Sequence, residues 1–153
     1  EQFKGYKFAT ERSQHLMSLG IPLNTDSTLK GQTVFLAERC GELMHDSIIT
    51  DRTILDVMAF TMNAKSIPHQ DKDAFETYAS EFIREYDYIF YISPHGLEIE
   101  DNGVRETDEH YRDLIDFTIT TLIKRHGHKA GAIEKISGST EERIQQILNV
   151  TKL

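Results

Sequence analysis

An α/β domain with a mainly parallel sheet is what this sequence predicts, and three observations carry the prediction. Short runs of β-branched and aromatic residues alternate along the chain with longer segments of helical spacing. Turn-forming residues, among them Pro22, Asn24, Pro68 and Pro94, fall between those runs. No internal repeat, low-complexity tract or linker divides the 153 residues, so residues 1–153 read as one domain. Alternating strands and helices of this kind build a parallel sheet covered on both faces.

Taken in order, Gly5–Ala9 reads as a first strand. Thr10 is the expected N-cap of a helix from Glu11 to Leu19, closed by Gly20. The stretch from Ile21 to Thr28, with Pro22, Asn24, Asp26 and Ser27, is a loop. A helix is expected from Leu29 to His45, its apolar side made by Leu29, Val34, Phe35, Ala37, Leu43 and Met44; Gly31 and Gly41 weaken it, Gly41 as a candidate close-packing point. Asp46–Thr50 is a second strand, followed by a helix over Ile54–Ala64 with Leu55, Met58, Ala59 and Met62 on one face. After the break at Ser66–Gln70, Asp71 caps a helix to about Tyr86, with Phe75, Tyr78, Ala79, Phe82 and Ile83 as its buried stripe. Tyr86–Ser93 is the densest β-forming run in the chain and ends at Pro94. His95 to Glu106 is a polar loop, and Thr107 with Asp108 opens a helix to Arg125 in which Tyr111, Leu114, Ile115, Thr118 and Leu122 keep helical spacing. Ala130–Ile136 is the last strand. Ser139 caps the final helix, with Glu142 at capping-box spacing and Ile144, Ile147 and Leu148 packing it.

The composition is that of a globular domain, 39% hydrophobic and 27% charged. A net charge of -8 argues against a general nucleic-acid or anionic-membrane surface. No apolar run approaches membrane-spanning length. A single cysteine, Cys40, allows no internal disulfide and fits a cytoplasmic setting; it reads as a packing residue. His126 and His128 resemble a metal pair only weakly, since no third ligand is implied.

Asp51 and Arg52 stand at the carboxyl end of the second strand, where open α/β sheets bind ligands. The acid can hold a Mg²⁺-bound water or accept a hydroxyl proton, and the arginine can fork onto phosphate or carboxylate oxygens. The plain structural alternative is a helix N-cap aspartate beside a surface arginine. Glu11 and Arg12 repeat the pattern after the first strand, with a solvated first helical turn as their alternative. Asp56 and Asp116 are expected to be solvated or capping.

The order of these motifs resembles the P-loop nucleoside and nucleotide kinases. It is closest to the AAA-type family that includes the ribosylnicotinamide-kinase part of bacterial NadR proteins and many phage proteins. The segments that carry the resemblance are Ile48–Phe60 after a strand and Asp101–Asp116, with Arg105 and Arg112, as a lid. It implies a three-layer α/β/α fold with a helical lid, ATP and Mg²⁺ as cofactors, and phosphoryl transfer to a nucleoside, nucleotide or related small molecule. It gives Asp51, Arg105 and Arg112 catalytic roles, with Asp51 also organising the metal. Glu11, Arg12 and Arg52 would line the acceptor pocket, and Gly138, Ser139 and Thr140 would pass beside the donor's base. A homodimer is compatible with it. The alternatives are a nucleotide-dependent ATPase-like switch and a degenerate, non-catalytic P-loop relative.

One element of that family is missing from the 153 residues: no Gly-x-x-x-x-Gly-Lys-Ser/Thr occurs. In these kinases that loop cradles the triphosphate, and its strand lies mid-sheet, between the counterparts of Asp46–Thr50 and Tyr86–Ser93. The expectation is therefore that a strand, loop and helix lie upstream, and that those two strands are not bonded to each other.

Overall fold

A computed structural model describes residues 3–10, 12–95 and 108–153. Among them run β1 (Lys7–Ala9), α1 (Ser13–Ser18), α2 (Leu29–Glu42), β2 (Ile48–Thr50), α3 (Ile54–Asn63), α4 (His69–Ala79), β3 (Tyr88–Ile92), α5 (Glu109–His126), β4 (Ala132–Ile136) and α6 (Thr140–Thr151). The chain is thus mixed α/β, with every expected strand and helix represented in the expected order.

Local chemistry explains most boundaries. Thr28 caps α2 by accepting from Gly31 N, and Asp108 caps α5 by accepting from His110 N. Thr53 with Asp56, and Ser139 with Glu142, form two capping boxes that start α3 and α6. Two expected caps fail. The first turn of α1 closes on the Arg12 carbonyl, two residues past Thr10, with no side-chain cap. Helix α4 starts behind Pro68, which needs no N–H there, and leaves Asp71 in the first turn beside the positive end of the helix. It also ends early: Ser80–Glu85 tightens into a 3₁₀ turn, with Ser80 Oγ donating to the Thr77 carbonyl at 3.0 Å.

The strands make two parallel pairs rather than one sheet. β1 lies against β2 in the register Lys7↔Ile48, Phe8↔Ile49, Ala9↔Thr50. β3 lies against β4 from Tyr88↔Ala132 to Ile92↔Ile136. Among the described residues β2 and β3 are not bonded to each other. Gly131 leads into β4 so close to β3 that a Cβ there would sit 2.5 Å from the Asp87 carbonyl oxygen.

The core centres on α3, where Ile54, Leu55, Met58 and Ala59 are all at most 1% exposed. Residues of α2, α4 and α5 surround it, including Leu36, Phe75, Ala79, Ile115 and Leu122. Helix α2 departs from its expected apolar side. It buries Gly31, Gln32, Leu36 and Arg39, while Met44, beyond its end, is 83% exposed. The close-packing glycine is Gly31, against Ile21 and Thr28; a Cβ on Gly41 would meet open space. Tyr78, expected in the buried stripe of α4, faces solvent, as does Leu114 of α5.

An ion cluster around the buried Glu76 ties the end of α4 to the end of α5, with Arg125 and Glu81 at its exposed rim. Glu76 accepts from Arg125 Nη1 at 2.5 Å and His126 Nε2 at 2.7 Å, and Lys129 reaches Ser80 Oγ and Glu81. His126 is therefore a structural partner of a carboxylate. Burial alone would push the Glu76 carboxyl upward, but the bonds and charges of His126 and Arg125 more than offset this and hold it below its ordinary 4.5. Since the folded group titrates below the unfolded one, its stabilising contribution is complete above pH 4.5 and disappears as pH falls through the folded value. We expect Glu76→Gln to lower stability at neutral pH by about 2 kcal/mol and to flatten this acid-side loss. Urea denaturation of both proteins between neutral pH and the acid limit checks it; parallel acid profiles would refute the assignment.

Candidate functional site

A cavity of about 860 Å³ runs along the whole of β2 and β3. Its walls are apolar, with Phe35, Leu55, Phe60, Ile119 and Ile147 contributed by helices. Charged side chains, among them Arg12, Asp51, Arg52, Arg112 and Asp116, also line it.

Asp51 and Arg52 occupy a tightly held turn between β2 and α3. The Asp51 N–H donates to the Ala9 carbonyl at 2.9 Å, and its carbonyl accepts from Arg39 Nη1 at 2.9 Å. The backbone is pinned from both sides while the residue stays exposed. Arg52 has φ +73, a left-handed conformation that costs a side-chain-bearing residue about 1–3 kcal/mol. Thr50 Oγ1 holds it by donating to the Arg52 carbonyl at 2.9 Å. The Arg52 guanidinium lies 5.5 Å from the centre of the Phe60 ring, which packs on Tyr111 of α5 at 6.4 Å. Thr53, not Asp51, caps α3, so the capping alternative does not account for Asp51.

Arg39 is the residue that the sequence reading missed. It is 4% exposed, donates to the Asp51 carbonyl and forms an ion pair with Glu42 at 3.0 Å. Its signal was positional: Gln32, Leu36 and Arg39 share one face of α2. Nearby, Arg12 lies 3.7 Å from Glu38. Burial raises the Glu42 carboxyl, Arg39 opposes that, and Glu38 adds to it. The arginines beneath the turn thus sit in a network of acids.

On the far wall Asp116 accepts from the Tyr91 hydroxyl at 2.6 Å and lies 3.6 Å from His95 Nε2. It is neither solvated nor capping, contrary to expectation. Burial and the Asp116 bond push the Tyr91 phenol up to about 12. Arg112, half-buried one turn before Asp116, lines the same cavity and lies 3.6 Å from Asp113.

The structure therefore brings Arg12, Asp51, Arg52 and Arg112 to one cavity. Gly138, Ser139 and Thr140 stand apart. Gly138 lines a shallow groove with Ser137 and Gln146, and Ser139 is engaged in its capping box. Glu11 and Arg105, with residues 101–107 of the expected lid segment 101–116, lie outside the described residues.

No three histidine, cysteine, aspartate or glutamate side chains converge on a metal position among the described residues. A single exposed carboxylate such as Asp51 does not make a resident metal site. It does suit Mg²⁺ carried on a nucleotide, which keeps waters and phosphates as most of its ligands. The described turns offer no glycine-rich cradle for a triphosphate: beside Gly138 the Ser139 N–H donates to Glu142 Oε2 and the Glu142 N–H to Ser139 Oγ.

Truncating Arg39 would leave the Asp51 carbonyl and Glu42 without their buried partner. We expect Arg39→Met to cost about 3 kcal/mol and to free the Asp51–Arg52 turn. Denaturant titration, with the amide resonances of Asp51 and Arg52 as local probes, checks both; unchanged stability would refute this role.

Compared with protein-family models, curated protein sequences and solved structures, the chain finds no significant match in any of the three.

Proposed function

We propose that this chain provides the acceptor side of a phosphoryl-transfer site acting on a nucleoside, nucleotide or related small molecule, with Mg²⁺-ATP as donor substrate. The observation that carries the proposal is the meeting of Arg12, Asp51, Arg52 and Arg112 at one cavity, with the Asp51–Arg52 turn held in a strained conformation. Transfer of a phosphoryl group needs positioning and charge neutralisation more than covalent chemistry. Three guanidinium groups match the oxygens of a phosphate or sugar-phosphate acceptor. Asp51, exposed at the end of β2, is the base for an acceptor hydroxyl. Phe60, itself packed on Tyr111, lies against the Arg52 guanidinium and restricts its freedom. In this scheme Arg105 acts with Arg112 over the transferring group, and the fold is the three-layer P-loop type that the motif order resembles.

A second reading is a nucleotide-responsive binding module without transfer. The lack of a Gly-x-x-x-x-Gly-Lys-Ser/Thr loop within residues 1–153 favours instead a degenerate relative with no nucleotide chemistry, which would bind no nucleotide.

The test is product formation by the natural polypeptide from Mg²⁺-ATP and a panel of nucleosides and nucleoside monophosphates. We expect transfer to at least one acceptor. Asp51→Asn should lower kcat by about 100-fold or more. Arg52→Ala and Arg112→Ala should weaken the acceptor, and lysine at either position should rescue little, because a fork is replaced by a point charge. Transfer undiminished in all three variants would refute these roles. Nucleotide binding without transfer to any acceptor would establish the second reading.

A further inference from the structure

Asp116 lines the same cavity as Arg12, Arg52 and Arg112, yet the phosphoryl-transfer scheme gives it no task. Its side chain is only 12% exposed. Oδ1 accepts from the Tyr91 hydroxyl at 2.6 Å, the short length of a hydrogen bond to a charged acceptor. Oδ2 has His95 Nε2 at 3.6 Å, beyond hydrogen-bond reach. A carboxylate offers about four acceptor positions, so the described residues spend only part of this one's capacity.

Tying α5 to β3 does not call for that charge. One acceptor suffices for the Tyr91 hydroxyl, and an amide would supply it without the cost of burying an ion. The retained charge suits a second donor that arrives with the ligand. An anionic group is disfavoured there, because like charges at close range repel. Position narrows the class further. Arg112 stands four residues earlier on the same face of α5, roughly 6 Å back along the helix axis. A sugar that carries a phosphate can span such a gap, with its phosphate at the arginine and its hydroxyls at the carboxylate.

We infer that Asp116 binds the sugar hydroxyls of a sugar-phosphate acceptor whose phosphate lies at Arg112, and that Tyr91 is the positioning residue for Asp116. The inference deepens the phosphoryl-transfer reading and rests on it for the kind of ligand. By holding Oδ1, the Tyr91 hydroxyl fixes the plane of the carboxylate and so the direction of the lone pairs left on Oδ2. The contact is a hydrogen bond to a charged acceptor in a largely buried setting. It discriminates against a sugar without hydroxyls, since that ligand displaces water and leaves the carboxylate unanswered.

Calorimetric titration of the natural polypeptide with the four 5′-mononucleotides and their 2′,3′-dideoxy counterparts tests it, with a non-hydrolysable ATP analogue present to occupy any donor site. At least one mononucleotide should bind about tenfold or more tighter than its dideoxy counterpart. Asp116→Asn, which keeps an acceptor for Tyr91, should abolish that ratio by weakening the hydroxylated ligand alone. Tyr91→Phe should shrink the ratio without abolishing it. Burial and the Asp116 bond push the Tyr91 phenol up to about 12, so its ultraviolet titration should move down in Asp116→Asn and report the contact in solution. An undiminished ratio in Asp116→Asn, equal weakening of both ligands in that variant, or no ratio in the unmutated protein would each overturn the inference and leave the transfer reading standing. A ratio that depends on Asp116 without transfer to any acceptor would sink the transfer reading and support this contact. No binding of any mononucleotide would overturn both.

Discussion

Helix α3 is the constraint on which the rest of the structure depends. Ile54, Leu55, Met58 and Ala59 are withdrawn from water almost completely, and each large side chain among them is worth about 1.5–3 kcal/mol of burial. That burial fixes where the helix begins. Thr53 and Asp56 close its first turn, and Tyr86 adds a hydroxyl that accepts from the Ile54 N–H at 3.2 Å. The burial that makes this bond possible also raises the Tyr86 phenol. With the helix start immobile, the residues before it have little freedom. The chain must leave β2, turn through Asp51 and Arg52, and arrive at Thr53 in register. The left-handed backbone at Arg52 follows from that closure and is held by Thr50 from the strand side. The position of the charged pair is therefore a consequence of the hydrophobic core.

The same core explains an asymmetry. Helices α2, α3, α4 and α5 pack together and supply most of the buried apolar surface. Helix α6 touches β4 and has no fully buried residue. The domain is held chiefly by the packing around α3 and by the Glu76 cluster. Along the cavity large apolar side chains such as Phe8 stay exposed, at 65%. Single exposed apolar residues need no explanation, but several bordering one cavity do.

Order and type of elements were legible because the apolar periods were clean. Tyr88–Ile92 reads as a strand from composition alone, and the Ser139–Glu142 box announces α6. What was not legible lay where a polar residue does the work of an apolar one. Arg39 and Gln32 occupy the buried stripe of α2, so a search for an apolar side chose Val34, Phe35 and Ala37 and missed the face that matters. Asp116 was misjudged for the same reason: its partner, Tyr91, is 25 residues away and invisible to local spacing. Asp71 and Thr10 look like caps, but Pro68 and the closure at Arg12 set those helix starts. The separation of β2 from β3 agrees with the expectation that these two strands do not pair.

Electrostatics bind the core to the turn. The chain carries a net charge of -8, yet Arg12, Arg39, Arg52 and Arg112 all line one cavity. Three of them lie within ion-pair range of acids, Arg39 of Glu42, Arg12 of Glu38 and Arg112 of Asp113. Glu42 is itself held upward by burial, so the balance around Arg39 is struck inside the protein and not in solvent. The local field then depends on who occupies the cavity. Displacing its water lowers the dielectric around Arg52 and Arg112 and strengthens their pull on an anion at the opening.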